Sequence, residues 1–148
     1  MTRFHAEMVI FVINTLWAGS VLFVASAFKG MLRDLDGPAF KQFVASMQKN
    51  ALRVPYVVAA SSITFLLIIP YLIFYGFANW WFIAGMIACL MASVSSKILN
   101  VPIYGKIGQL DSTNTTGLFA ERHKMETANR IRASLYVLCV VLTMIGFL

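Results

Sequence analysis

SVSSKILNVPIYGKIGQLDSTNTTGLFAERHKMETANRIR, residues 93–132, is the stretch around which the chain is read. An apolar run enters it and takes on Ser93, Ser95, Ser96, Lys97 and Asn100. Asn100-Val101-Pro102 follows. Proline has no N–H for the helical ladder and biases the preceding residue towards extended backbone, so the helix is expected to end at Asn100. A polar loop should come next, and then a charged helical segment that runs into the last apolar stretch. No other part of the chain sets so many amides and charges beside apolar runs of membrane length.

The composition around this stretch is that of a membrane protein. Of 148 residues 59% are hydrophobic and 12% charged, with a mean hydropathy of +0.77. A soluble domain carries about 25% charged residues. Residues 1–148 are read as one all-α transmembrane domain, a four-helix bundle with helices at about 6–28, 56–77, 80–100 and 119–148. The first run has Arg3 before it and Ala25-Ser26-Ala27 near its end, as a signal peptide would. Its apolar length exceeds the roughly 7–15 residues of a signal core, so a retained helix is expected. Between the first two runs, Asp36-Gly37-Pro38 looks like a helix start. Phe40, Phe43, Val44, Met47 and Leu52 then recur at near-helical spacing. An amphipathic helix over about 38–51 is expected at the headgroup level, with Phe40, Phe43 and Met47 buried. The second run contains Ser61, Ser62, Thr64 and Pro70 and ends in an aromatic turn, Tyr75 to Trp81. Such residues favour the membrane–water interface.

Eleven of the twelve Lys and Arg residues lie in two segments, 29–55 and 97–132, and Arg3 is the twelfth. The positive-inside rule accounts for the net charge of +6 without nucleic acid. It places both long connections in the cytoplasm and both termini outside, in what reads as a bacterial inner membrane.

The last apolar run, 133–148, makes only about 24 Å of helix against a hydrocarbon core of about 30 Å. The spanning helix must borrow polar residues, which draws Asn129 and Arg132 to the inner boundary. Arg132 then either snorkels to the surface or faces the bundle and pairs there. Glu126, Asn129, Arg132, Tyr136, Cys139 and Thr143 follow at steps of three or four and share one helix face. Leu135, Leu138, Leu142 and Ile145 form the face expected towards lipid. Lys97, Asn100, Ser61 and Ser62 fall at a similar depth, and Asn14 and Trp17 lie higher in the first helix. Together these residues suggest an inner-leaflet pocket, cationic and amide-rich, suited to a phenolate, enolate, carboxylate or lipid phosphate.

The sequence has no HExxH, CxxC, Gly-rich phosphate loop or serine elbow. His5 and His123 fall on opposite sides of the expected topology. No metal site and no cofactor is therefore assigned. Cys89 and Cys139 lie inside apolar runs and read as packing residues. Glu7 with His5 reads as an interfacial pair.

At Asn100-Val101-Pro102 and at Glu126-x-x-Asn129-x-x-Arg132 the chain resembles the anthrone-oxygenase-like family of small four-span membrane proteins, mostly of unknown function. The likeness in layout covers the whole chain, and its specific part is about 97–134. Tyr104 and the Arg122-His123-Lys124 run depart from the family's pattern. The resemblance implies a cofactor-independent oxidation of an anthrone-like phenol by molecular oxygen. A base would take a proton, and Arg132 with the amides would stabilise the enolate. Candidate bases are His123, Glu126 and Tyr136. The competing class is non-catalytic: the same cluster holds a lipid or quinone headgroup, or the chain serves as a homo-oligomer or a subunit of a larger membrane complex. The topology has a direct check. A cysteine introduced by Ser112→Cys should react with an impermeant thiol reagent only from the cytoplasmic side, and labelling confined to the outside would reverse the orientation.

Overall fold

The computed structural model describes residues 2–51 and 55–148, with side chains described outside 51–61. Every described element is a helix: α1 Arg3–Arg33, α2 Gly37–Ala51, α3 Pro55–Tyr75, α4 Trp80–Ser95, a π-helical turn Ser96–Asn100, α5 Val101–Gln109 and α6 Thr115–Ile145. Among the described residues, three helical stretches are long and apolar enough to cross a membrane: Arg3–Arg33, the continuous Trp80–Gln109 and Thr115–Ile145. The fold is thus all-helical and consistent with an integral membrane protein. A 31-residue helix is about 46 Å long and overshoots a hydrocarbon core of about 30 Å. The three long helices therefore stand proud of any bilayer they cross.

Pro102 does not break the helix that starts at Trp80, contrary to the sequence expectation. The helix widens into a π turn over Ser96–Asn100 and resumes as α5, with Pro102 in its first turn. At that position the missing N–H costs least, and a π turn absorbs the irregular hydrogen-bond register. The expected long loop after Asn100 shrinks to residues 110–114, and α6 begins at Thr115. Asn114 caps α6, its side chain accepting from the Gly117 N–H at 3.0 Å. Asp111 accepts from Thr113 N and Oγ1, both at 2.8 Å. These bonds hold its carboxyl below the ordinary carboxylate range. The last helix is therefore 31 residues long, Thr115–Ile145, and Arg132 sits near its middle.

α2 starts where the sequence indicates, with Asp36 Oδ1 accepting from Ala39 N at 2.8 Å. Two of its apolar residues are fully covered by the protein itself. Phe40 and Val44 pack with Leu32, Ile107, Leu118 and Met125 into one buried cluster, while Phe43 and Met47 are only half-buried. The overshooting ends of α1, α5 and α6 offer apolar sides of their own, and α2 closes over them. Arg122 fastens this corner. Its Nη2 donates to Leu35 O at 2.7 Å and its Nη1 to Arg33 O at 3.4 Å, covering carbonyls left open where α1 ends. Its guanidinium also lies 4.5 Å from the Phe40 ring centre and 4.7 Å from that of Phe119.

At the other end, Gly76 takes a positive φ of 59° to turn the chain from α3 towards α4. Asn79 then ties three helices. Its Oδ1 accepts from Phe82 N, while its Nδ2 donates to Gly146 O at 2.9 Å and to Glu7 Oε1 at 3.2 Å. Glu7 is not an interfacial partner of His5, which bonds Thr2 instead. Glu7 is buried, accepts from Tyr71 Oη at 2.7 Å and pairs with Arg3 Nε at 3.5 Å. Three groups from two helices and a turn thus neutralise or solvate one carboxylate out of water.

α4 and α6 run antiparallel in close contact. A Cβ added at Gly85 would lie 2.4 Å from Thr143 Cγ2 and 2.9 Å from Cys139 O. Gly85→Ala should therefore push the helices apart and cost about 1–3 kcal/mol. Gly19→Ala, where a Cβ meets nothing within 4 Å, is the control. Thermal unfolding in lipid nanodiscs reads the difference; equal midpoints for the two variants would mean that the contact is not tight.

Candidate functional site

The close approach at Gly85 continues towards the π turn as a seam of polar pairs. Cys89 and Cys139 share one buried cluster with Ala88, Ala92, Ala133 and Tyr136. One turn further, Ser93 Oγ and Tyr136 Oη lie 3.0 Å apart, and Trp17 Nε1 of α1 donates to the same Tyr136 oxygen at 2.9 Å. Next, Arg132 Nη1 donates to Ser96 Oγ at 3.2 Å. Then Asn100 Nδ2 donates to Asn129 Oδ1 at 3.3 Å. Residues 93, 96 and 100 on one strand of the seam thus meet 136, 132 and 129 on the other. Of the two outcomes open for Arg132, the inward one holds: it reaches Ser96 in the π turn, one turn before Asn100.

Two atoms in this seam are buried without a hydrogen-bond partner, Asn100 Oδ1 and Arg132 Nε. The first is an acceptor and the second a donor. Leaving such groups unpaired out of water costs about 1–3 kcal/mol each. The π turn carries Asn100 and α6 carries Arg132, so the two atoms belong to opposite sides of the same seam. Asn14 supplies a further case deeper in α1. Its Oδ1 accepts from Thr64 Oγ1 at 3.2 Å and from Cys89 Sγ at 3.8 Å, while its Nδ2 is buried and unpartnered.

The remaining residues proposed from sequence do not all join this seam. Lys97 is exposed, and so is Ser62, whereas the neighbouring Thr64 turns inward to Asn14. The Ser61 side chain lies outside the described residues. Trp17 joins through Tyr136. Of the three candidate bases, only Tyr136 belongs. His123 is exposed on a different groove, beside Ile98, Ile103 and Lys124. Glu126 turns to α1, where its Oε2 lies 3.9 Å from Arg33 Nη2. The face of α6 away from the seam also differs from expectation. Leu135 and Leu142 are half-buried against the core, Leu138 is exposed as expected, and Ile131, Val137, Val141 and Met144 are exposed beside it. Three neighbouring helices, not one, take up the circumference of α6.

Sequence reasoning missed Ser93 and Ser96 as partners, although both stood in the quoted stretch. Their three-residue separation matched to the four-residue step from Arg132 to Tyr136 was the available signal. Among the described residues, no group of three or more His, Cys, Asp or Glu side chains gathers as a metal site would require.

The coupling across the seam is measurable. A double-mutant cycle of Ser93→Ala and Tyr136→Phe should return about 0.5–1.5 kcal/mol, the range of hydrogen bonds between membrane helices. A coupling indistinguishable from zero would mean that the two hydroxyls do not bond in the lipid-embedded protein.

A scan against protein-family models finds no match for this chain, and searches of curated proteins and of solved structures find none similar to it.

Proposed function

We propose that the chain is a four-helix membrane protein that binds a flat phenolic or quinone-like molecule at the seam between α4 and α6. The observation that carries this reading is the unpaired acceptor and donor, Asn100 Oδ1 and Arg132 Nε. A molecule bearing a hydroxyl and a carbonyl or enolate oxygen satisfies both at once. The cation beside the oxygen favours an anionic or strongly accepting group. Tyr136 and Trp17 supply aromatic surface next to it. In this reading α3 is the fourth span, its described apolar part being Ser62–Tyr75. The basic residue distribution supports a bacterial inner membrane with α2 on the cytoplasmic face and both termini outside.

Binding, not catalysis, is the better-supported activity, because His123 and Glu126 face elsewhere. The oxygenase reading retains one specific support. Tyr136 Oη lies on the seam beside the Arg132 turn and is held by both Ser93 and Trp17. In that mechanism the substrate phenol loses a proton, Arg132 stabilises the resulting enolate, and the Tyr136 hydroxyl serves as a hydrogen-bond donor to it. Oxygen then adds to the carbanion, the peroxide takes back the proton, and loss of water with cleavage of the O–O bond leaves the quinone carbonyl.

Titration of the detergent-solubilised protein with a hydroxyanthrone, followed by tryptophan fluorescence, tests the binding. Saturable binding is expected, weakened about tenfold or more by Arg132→Ala and partly restored by Arg132→Lys, which lacks the planar fork. Unchanged affinity in a folded Arg132→Ala would remove the seam as the site. Oxygen uptake with the same compound, abolished by Tyr136→Phe, would select the oxygenase reading.

A further inference from the structure

We propose that a second groove, between α1 and α6, is a built site for one anionic phospholipid. It lies on another face of α6 from the seam and depends on the chain being in a membrane, not on the seam's ligand. The cavity has a volume of about 360 Å³. Both helices change character along it. In α1, Lys29 follows the apolar run that ends at Phe28; in α6, Arg130 precedes the run that starts at Ala133. The two cations therefore flank the same end of the groove, one from each helix.

Towards the other end the wall is apolar, formed by Leu22, Ala25 and Val137. Leu22 and Val137 are exposed, as a lipid-facing wall requires. The groove is thus amphiphilic along its length, as a phospholipid is. Glu126 is the one carboxylate in its lining, and Arg33 at 3.9 Å offsets that charge. Lys29 and Arg130 remain as the net charge at the mouth. Ser134 adds a hydroxyl on the α6 side, while Ser26 donates its own to Leu22 O at 2.6 Å.

A phosphate between Lys29 and Arg130 places its acyl chains along Leu22 and Val137. A zwitterionic lipid brings its own cation to two cations already there, and a soluble phosphate leaves the apolar wall uncovered. The chemistry therefore selects an anionic headgroup carried on acyl chains, the class recognised by basic pockets between membrane helices.

The test uses the full chain, delipidated in mild detergent, with native mass spectrometry as the readout. Phosphatidylglycerol and phosphatidylcholine with the same acyl chains are titrated separately. One phosphatidylglycerol adduct is expected, about tenfold or more tighter than phosphatidylcholine. The double variant Lys29→Gln, Arg130→Gln should bring the two lipids to equal affinity. Lys49→Gln with Lys106→Gln removes the same charge from exposed positions and should leave the preference intact. Ser134→Trp fills the groove from an exposed position and should weaken both lipids. Equal affinity of the two lipids for the unaltered chain would overturn the proposal, as would an equal effect of the two double variants. So would displacement of phosphatidylglycerol by glycerol 3-phosphate at matched concentration, which would mark a headgroup-only site.

Discussion

The close approach of α4 and α6 at Gly85 is the constraint on which the rest depends. Between two membrane helices no bulk water drives apolar association, so contact rests on packing of small residues and on internal hydrogen bonds. With Gly85 against Cys139 and Thr143, the helices are near enough for short side chains to meet. Ser93, Ser96 and Asn100 then find Tyr136, Arg132 and Asn129 in sequence. A bulkier residue at position 85 would leave serine hydroxyls too far from their partners, and the polar groups of the seam would be stranded in a low dielectric.

The two ends of the molecule solve different problems. At the Asn79 end, a buried carboxylate is accommodated by Tyr71, Asn79 and Arg3, and one asparagine ties together α1, α4 and the C-terminal end of α6. At the α2 end the long helices continue beyond the span, and the apolar sides they carry there need cover. α2 provides it, and Arg122 locks the corner by donating to the carbonyls of Arg33 and Leu35. Between these fixed ends the seam keeps two unpaired atoms, which is where a ligand can contribute most.

Much of this was legible from pattern. Helical runs of membrane length follow from hydropathy alone, and the three- and four-residue steps through Asn129, Arg132 and Tyr136 already mark an inward polar stripe. Asp36 before Gly37-Pro38 marks the start of α2. Other features depend on what lies across from a residue, which spacing within one helix does not report. Pro102 reads as a helix stop because the local rule for proline does not anticipate a π turn. Arg122 looks like one more basic residue until the end of α1 is placed opposite it. Glu7 looks interfacial until Tyr71 and Asn79, over sixty residues away, close over it. α2 reads as lying against lipid because an apolar helix face does not announce which surface will cover it.

The central claim is that Asn100 Oδ1 and Arg132 Nε are completed by a bound aromatic molecule. The most direct measurement is mass spectrometry of small molecules extracted from protein purified out of native membranes, run in parallel on the unaltered chain and on a folded Arg132→Ala variant. The account predicts a phenolic or quinone-like compound stoichiometric with the unaltered protein and depleted from the variant. Phospholipid alone in both extracts, or the same aromatic compound retained at the same ratio by the variant, would contradict it.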